Sequence, residues 1–274
     1  MSNATQFVGD IPGNYDRLLG PNIFEDYAAD IARRAAGLKP QRVLELAAGT
    51  GIVSRKLRDA LPPDSELVVT DLNGPMLEVA KAKFRAGEKV EFSTADAMKL
   101  GWAHVSFDAI VCQFGVMFFP DKIASFREAL RVLRPGGTYL FSTWADIADN
   151  AATRIANDAV ARFFPDNPPG FYRVPFSYPD PGKVTADLKT AGFQTVSHEV
   201  LPLEKQVADI AGFARGLVLG NPLGPEIVSR GTVSPEDVIR DIESRMRTAF
   251  GPEPASMPLK ATVFSAGRPK TTDP

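Results

Sequence analysis

Two hydrophobic periods alternate along this chain. Short apolar runs rich in β-branched and aromatic residues, "RVLEL" (42–46), "ELVVTD" (66–71), "KVEFST" (89–94), "FDAIVCQ" (107–113) and "GTYLFSTW" (137–144), read as buried strands. Between them, residues 52–60, 75–86 and 121–133 carry apolar side chains at helical spacing. Met76, Leu77, Ala80 and Phe84 mark one such face, and Ile123, Phe126, Leu130 and Leu133 another. Near-continuous apolar strands alternating with helices of crossover length predict an α/β fold, a parallel sheet with helices on both faces. Ligands in that architecture bind at the carboxyl ends of the strands.

After Trp144 the rhythm breaks. A helix is expected within 145–180, followed by the aromatic and proline-rich stretch "FFPDNPPGFYRVPFSYPDP" (163–181), an ordered, loop-rich insert. A further helix runs from Pro181 to Ala191, with Asp180 as its cap and Gly192 at its end. "FQTVSHEVLPLE" (193–204) and "LKATVFSAG" (259–267) are the last strands expected. Between them Ser234, Pro235 and Asp237 start a helix whose apolar face is Val238, Ile239, Ile242 and Met246. The tail "GRPKTTDP" is expected to fray.

Composition narrows the function classes. With 274 residues, 44% of them apolar, there is ample material for a core. The net charge of −2 argues against a polyanion-binding protein, so nucleic acid is not an expected partner. One cysteine, Cys112, excludes an internal disulfide framework, and two histidines are too few for the usual structural zinc site, so no metal is expected. The start, "MSNATQFVGDIPGNYDRLLGP", lacks the basic and apolar regions of a signal peptide, and no apolar run is long enough to span a bilayer. These features point to a cytoplasmic enzyme or binding protein.

The chemistry is expected at "VLELAAGTGIVSRKL" (43–57), where a strand passes through small residues directly into a helix. Such a hinge lets a ligand touch backbone where side chains would block it. A dinucleotide site wants G-x-G-x-x-G, but Gly49 and Gly51 are followed by Ser54; a phosphate loop wants Gly-Lys-Ser/Thr, which is absent. The remaining pattern, Glu45-x-Ala47-x-Gly49-x-Gly51, resembles the first motif of the class I S-adenosylmethionine-dependent methyltransferases, in particular their small-molecule, quinone-type C-methylating branch. Ala47 departs from the glycine common at its place.

The resemblance extends over roughly residues 40–145. It implies an α/β, Rossmann-like, doubly wound sheet of seven strands, mostly parallel, with an antiparallel C-terminal hairpin and helical or loop lid inserts. One methyltransferase domain would fill 1–274, with its cofactor core at about 40–145 and inserts at 1–35, 145–181 and 205–258. It implies that Asp71 accepts from both ribose hydroxyls, that Asp96 with Ala97 receives the adenine, and that Leu72 and Met76 flank it. Gln113 and Phe114 would meet the methionine portion, and Tyr15 and Arg17, in "GNYDRLLGP", would fold over the cofactor. "DNPPGF" (166–171) is similar to a motif of DNA amino-methyltransferases, but there it closes the fourth strand, where this chain has "CQFG".

Acceptor specificity is expected from the inserts. Phe118, Phe171, Tyr172 and Phe176 are the expected acceptor wall, with "FARGLVLGNPLGPEI" (213–227) overhanging the sheet and Arg173 available to an acidic acceptor. His104, before the fourth strand, falls on the far end from the cofactor, and His198 lies within a strand, so neither is the expected base. The implied activity is in-line methyl transfer from S-adenosylmethionine to carbon, oxygen or nitrogen of a small, apolar or aromatic acceptor by a monomer or homodimer. A non-catalytic protein that binds the cofactor or S-adenosylhomocysteine, and a nicotinamide-dependent oxidoreductase, remain the alternatives.

Overall fold

The computed structural model describes residues 6–270. Of the tail expected to fray, 271–274 lie outside them, whereas Gly267 pairs in the sheet and the Arg268 guanidinium donates to the Leu130, Arg131 and Leu133 carbonyls, so 267–268 are held. The five expected strands form as β1 (Arg42–Glu45), β2 (Glu66–Asp71), β3 (Val90–Thr94), β4 (Phe107–Gln113) and β5 (Leu133–Trp144). They are joined by β6 (Thr195–Val207) and β7 (Ala255–Gly267) in one seven-stranded sheet of order β3-β2-β1-β4-β5-β7-β6. The pairs among β1 to β5 are parallel, while β7 runs antiparallel to both β5 and β6.

Alternation of side chains along the central strands divides the core between two faces. Val43, Leu67, Val69, Ala109 and Val111 pack against Ala28, Ile31, Ala32 and Ala35 of α2 (Glu25–Gly37) and against Val53 and Leu57 of α3 (Ile52–Ala60). Leu44, Val68, Ile110, Cys112 and Phe141 enter the larger core on the opposite face. Each central strand is thus apolar on both sides, the reason its sequence shows no clean polar alternation.

Several helix limits follow their capping chemistry. Asp121 accepts from the Ala124 N–H at the start of α5 (Lys122–Val132), and Asp180 does the same for Gly182 in α7 (Pro181–Ala191). Ser234 Oγ accepts from the Asp237 N–H and donates to its carboxylate at the start of α10 (Pro235–Phe250). Other expected limits differ. The helix over 75–86 is α4 (Gly74–Lys81), five residues shorter at its end; the chain then turns so that Phe84 packs edge-on against Phe92 of β3, 5.3 Å between centroids, beneath the Arg55 guanidinium. Leu133 leaves α5 and opens β5, with Pro135 two residues on preventing helix continuation.

Chain ends and inserts cover the carboxyl edge of the sheet. The N-terminal segment has a short helix, α1 (Ile11–Asn14), running into a π-helical stretch, Tyr15–Phe24, which the sequence pattern did not predict. Lys83 pairs with Asp16 and ties this stretch to the loop after α4. The β6–β7 hairpin is paired from Thr195↔Gly267 to Val207↔Ala255, whereas β5 meets β7 only over Ala261–Gly267. The remainder of the hairpin therefore projects past Trp144 and leads into α8 (Ile210–Leu219). Residues 213–227, expected as an overhanging segment, are mostly helical, in α8 and α9 (Leu223–Arg230). α6 (Ala151–Phe163) completes the cap. Among the described residues no helix is long and apolar enough to cross a membrane.

Gly51 begins α3 at φ 80°, and a Cβ there would lie 2.7 Å from the Ala80 Cβ. Gly51→Ala is expected to cost on the order of 2–3 kcal/mol through left-handed strain and overpacking against α4. A thermal melt should show the midpoint falling by roughly 4–10 °C; an unchanged midpoint would contradict this packing.

Candidate active site

A cavity of about 280 Å³ opens where β1, β2 and β4 end, beside the point at which the strand order reverses. Its floor is the hinge after β1. Three hinge residues have left-handed backbone: Ala47 at φ 51°, Gly49 at φ 57° and Gly51 at φ 80°. Glycine tolerates this freely, whereas alanine carries about 1–2 kcal/mol of strain. Ala47 thus departs from glycine in conformational cost more than in size. Its Cβ lies 2.5 Å from the place a Gly115 Cβ would occupy, so the turn after β4 must be bare for the hinge to fit.

Asp71 closes β2 and is buried. Its Oδ2 accepts from the Gly49 N–H at 2.8 Å, and its Oδ1 accepts from the Asn73 N–H at 2.7 Å. Burial pushes its pKa upward, while those hydrogen bonds oppose the shift. A carboxylate has about four acceptor sites, so capacity remains on the cavity side. Asp96, after β3, is exposed and accepts from the Met98 N–H at 2.9 Å through Oδ1. Ala97 is buried beside it, Met76 lies against Gly49, and Leu72 stays 50% exposed at the rim although apolar. All of them line the cavity.

Behind the hinge lies a recess of about 30 Å³, lined by Glu45, Thr50, Gln113 and Tyr15 among others. Glu45 is 1% exposed and its Oε2 has no hydrogen-bond partner. Burial, with the Asp71 charge adding to it, pushes its carboxyl up to about 8. Gln113 Nε2 donates to the Phe24 carbonyl at 3.2 Å, leaving its buried Oε1 unpartnered. Unpaired buried polar atoms are costly, and the Glu45 and Gln113 oxygens left unpaired both lie at this one recess.

A third space, about 80 Å³, adjoins the main cavity and shares Phe7, Tyr15, Phe114 and Phe118 with it. Phe171, Tyr172 and Phe176 line it together with Phe118. Phe114 stacks on Trp144 at 3.9 Å and 3°, and Tyr15 stacks on Phe24 at 4.8 Å. No charged side chain lines this chamber among the described residues. Burial and the nearby Asp71 carboxylate raise the Tyr15 phenol well above its usual value, so it remains neutral.

Of the residues singled out in the sequence for the cofactor, Tyr15, Glu45, Ala47, Gly49, Asp71, Leu72, Met76, Asp96, Ala97, Gln113 and Phe114 line these spaces. Gly51 does not; it serves the α3–α4 packing. Arg17 bonds to Gly13 and Asn14 instead, Arg173 is exposed, and His104 and His198 are exposed away from every lining. Sequence reasoning missed Phe7, Asn73, Met98, Gly115 and Phe119 in the main cavity and Trp144, Asn150, Asn221 and Leu259 in the chamber. "CQFG" held the signal for Gly115; the others are set by tertiary packing.

The fold and cavity define a nucleotide-cofactor enzyme of the Rossmann-like class with an antiparallel last strand. Residues 10–153 match the ubiE/COQ5 methyltransferase family. A demethylmenaquinone methyltransferase of Deinococcus radiodurans is 27% identical over 204 residues, spanning 69% of this chain and 84% of that protein. The ubiquinone/menaquinone biosynthesis C-methyltransferase UbiE of Methylobacterium nodulans is 30% identical over 184 residues, spanning 62% of this chain and 72% of that protein. Among solved structures, the YcgJ protein of Bacillus subtilis superposes with TM-score 0.56 at 19% identity, covering 89% of this chain and 99% of that one. Phosphoethanolamine N-methyltransferase 2 of Haemonchus contortus, in complex with S-adenosyl-L-methionine, gives 0.59 at 17%, covering 94% and 57%. The chain belongs to the ubiE/COQ5 methyltransferase family. It is an S-adenosylmethionine-dependent methyltransferase of a small molecule rather than a nicotinamide-dependent oxidoreductase.

Glu45 yields a pH prediction. Its folded carboxyl keeps a proton that the unfolded chain has lost, so its contribution to stability falls as pH rises from about 4.5 to about 8. Glu45→Gln removes that loss. In thermal melts of the ligand-free protein, the midpoint gain of Glu45→Gln over wild type should grow from pH 5 to pH 9; an equal gain at both would contradict a buried, unpaired carboxyl.

Proposed function

We propose that the main cavity holds S-adenosylmethionine along the hinge, and that the adjoining chamber holds an apolar or aromatic acceptor. The observation that carries this is a bare hinge flanked by two buried carboxyls, one already bonded to the hinge and the other with one oxygen, Glu45 Oε2, left without a partner. Asp71 faces the ribose hydroxyls with its spare acceptor capacity. Asp96 Oδ2 and the Ala97 backbone meet the adenine, whose faces rest against Leu72 and Met76. Glu45 and the Gln113 Oε1 take the α-ammonium, giving those orphaned acceptors their donors.

When bound, the cofactor supplies a sulfonium methyl already activated for transfer. The chain's task is to position the acceptor and exclude water, worth on the order of 7–11 kcal/mol. Phe114, at φ 54° at the end of β4, sets the boundary between cavity and chamber. Phe7, Tyr15 and Phe118 fill the rest of it. Among the described residues no charged side chain lines the chamber, so proton removal falls to the acceptor's own acidity. The relatives named for demethylmenaquinone and ubiquinone/menaquinone biosynthesis support an aromatic acceptor of quinol type. In this reading 1–274 works as one domain, its inserts closing the site, as a cytoplasmic monomer or homodimer without a nucleic-acid partner.

Asp71→Ala should weaken S-adenosylhomocysteine binding by roughly 1–3 kcal/mol through loss of charge-assisted hydrogen bonds, read by calorimetry. Wild type given methyl-tritiated cofactor and a panel of phenols should label an organic-extractable product. Undiminished affinity in Asp71→Ala, or no labelled product, would overturn the assignment.

A further inference from the structure

The acceptor chamber has a hydrogen-bonded far wall. Tyr172 Oη donates to the Leu217 carbonyl at 2.6 Å, and Asn221 Nδ2 donates to the same oxygen at 2.9 Å while its Oδ1 accepts from the Leu223 N–H at 2.9 Å. Asn150 does the same work on the hairpin side, accepting from the Lys260 N–H at 3.0 Å and donating to the Lys260 and Asp146 carbonyls at 3.1 Å each. The aromatic insert that carries Phe171 and Tyr172 is itself fastened to α9, where Glu226 accepts from the Gly170 N–H at 2.8 Å and Arg230 donates to the Asn167 carbonyl at 2.9 Å. The polar atoms of this wall are spent on one another, so they offer a ligand little and yield only when buried hydrogen bonds break.

The space this wall encloses is small. At about 80 Å³ it is smaller than the apolar cavity of about 150 Å³ that accepts a single benzene ring. Part of a ring can lie through the boundary toward the main cavity, whose lining overlaps it at four aromatic side chains, Phe7, Tyr15, Phe114 and Phe118. Two fused rings, or one ring with a long chain, would have to displace the wall. Its residues Phe171, Tyr172, Phe176, Leu217, Asn221 and Leu259 also fall outside the matched segment 10–153, whereas the main cavity is lined wholly by residues 7–120. The main cavity is thus built almost wholly from the segment that matches the family, and the far wall of the chamber from residues beyond it.

We propose that the Tyr172–Leu217–Asn221 wall, with Leu259 beside it, limits this enzyme to acceptors one ring in size without a long hydrocarbon tail, unlike a polyprenyl quinol. This rests on the chamber being the acceptor site, as set out above. The test is calorimetry on the full chain loaded with S-adenosylhomocysteine, titrated with 4-methylphenol, 1-naphthol and 4-nonylphenol. Hydrophobic burial alone would make the two larger phenols bind more tightly; the wall predicts the reverse, 4-methylphenol binding at least about 10-fold more tightly than either. Leu259→Ala and Tyr172→Ala should each bring 1-naphthol to within about 3-fold of 4-methylphenol while S-adenosylhomocysteine affinity stays unchanged, which also reports folding. Equal or tighter binding of 1-naphthol or 4-nonylphenol to wild type, or no binding of 4-methylphenol to the loaded protein, overturns the size limit alone. Failure to bind S-adenosylhomocysteine overturns the cofactor assignment beneath it.

Discussion

The hydrogen bond from the Gly49 N–H to Asp71 Oδ2, 2.8 Å long, joins the end of β2 to the hinge after β1. It holds an otherwise bare turn against the second strand, so the hinge keeps its shape with no side chain of its own to brace it. Around that bond the rest follows. Gly51 must be glycine for α3 to leave beneath α4, Gly115 must be glycine for the turn after β4 to pass Ala47, and the cavity lies between them. Asp71 is buried with its charge partly stabilised by backbone N–H groups, a poised acceptor that needs little reorganisation when hydroxyls arrive.

The site is also where the chain departs from its most stable arrangement. Ala47 and Phe114 both have positive φ, and Glu45 and Gln113 each leave a buried oxygen without a partner. Strain and unmet polar groups at one cavity are what a ligand of matching chemistry relieves. In the proposed placement the cofactor would supply these oxygens with the donors that folding alone leaves out.

Much of this was legible in the sequence because it depends on local chemistry. The parallel strands were visible as apolar runs, α7 and α10 through Asp180 and Ser234, and the hinge through its small residues. The aromatic wall of Phe118, Phe171, Tyr172 and Phe176 was also legible as a cluster. What was hidden depends on long-range packing. Phe84 leaves its helix to meet Phe92 on another element, and the π-helical turn of Tyr15–Phe24 packs its Leu18 and Leu19 against Gly216 of α8. Trp144 belongs to the chamber because the β6–β7 hairpin runs beyond the sheet, and Leu259 joins it from that hairpin. The hydrogen bonds of Asn150 to the Lys260 backbone span 110 residues, which no local pattern connects.

A crystal structure of the complex with S-adenosylhomocysteine tests the account most directly. It should show both ribose hydroxyls within hydrogen-bond reach of Asp71 while the Gly49 N–H bond to Oδ2 persists, the α-ammonium at Glu45, and the sulfur facing the chamber across Phe114. A ligand lying outside the hinge, or a ribose held without Asp71, would contradict it.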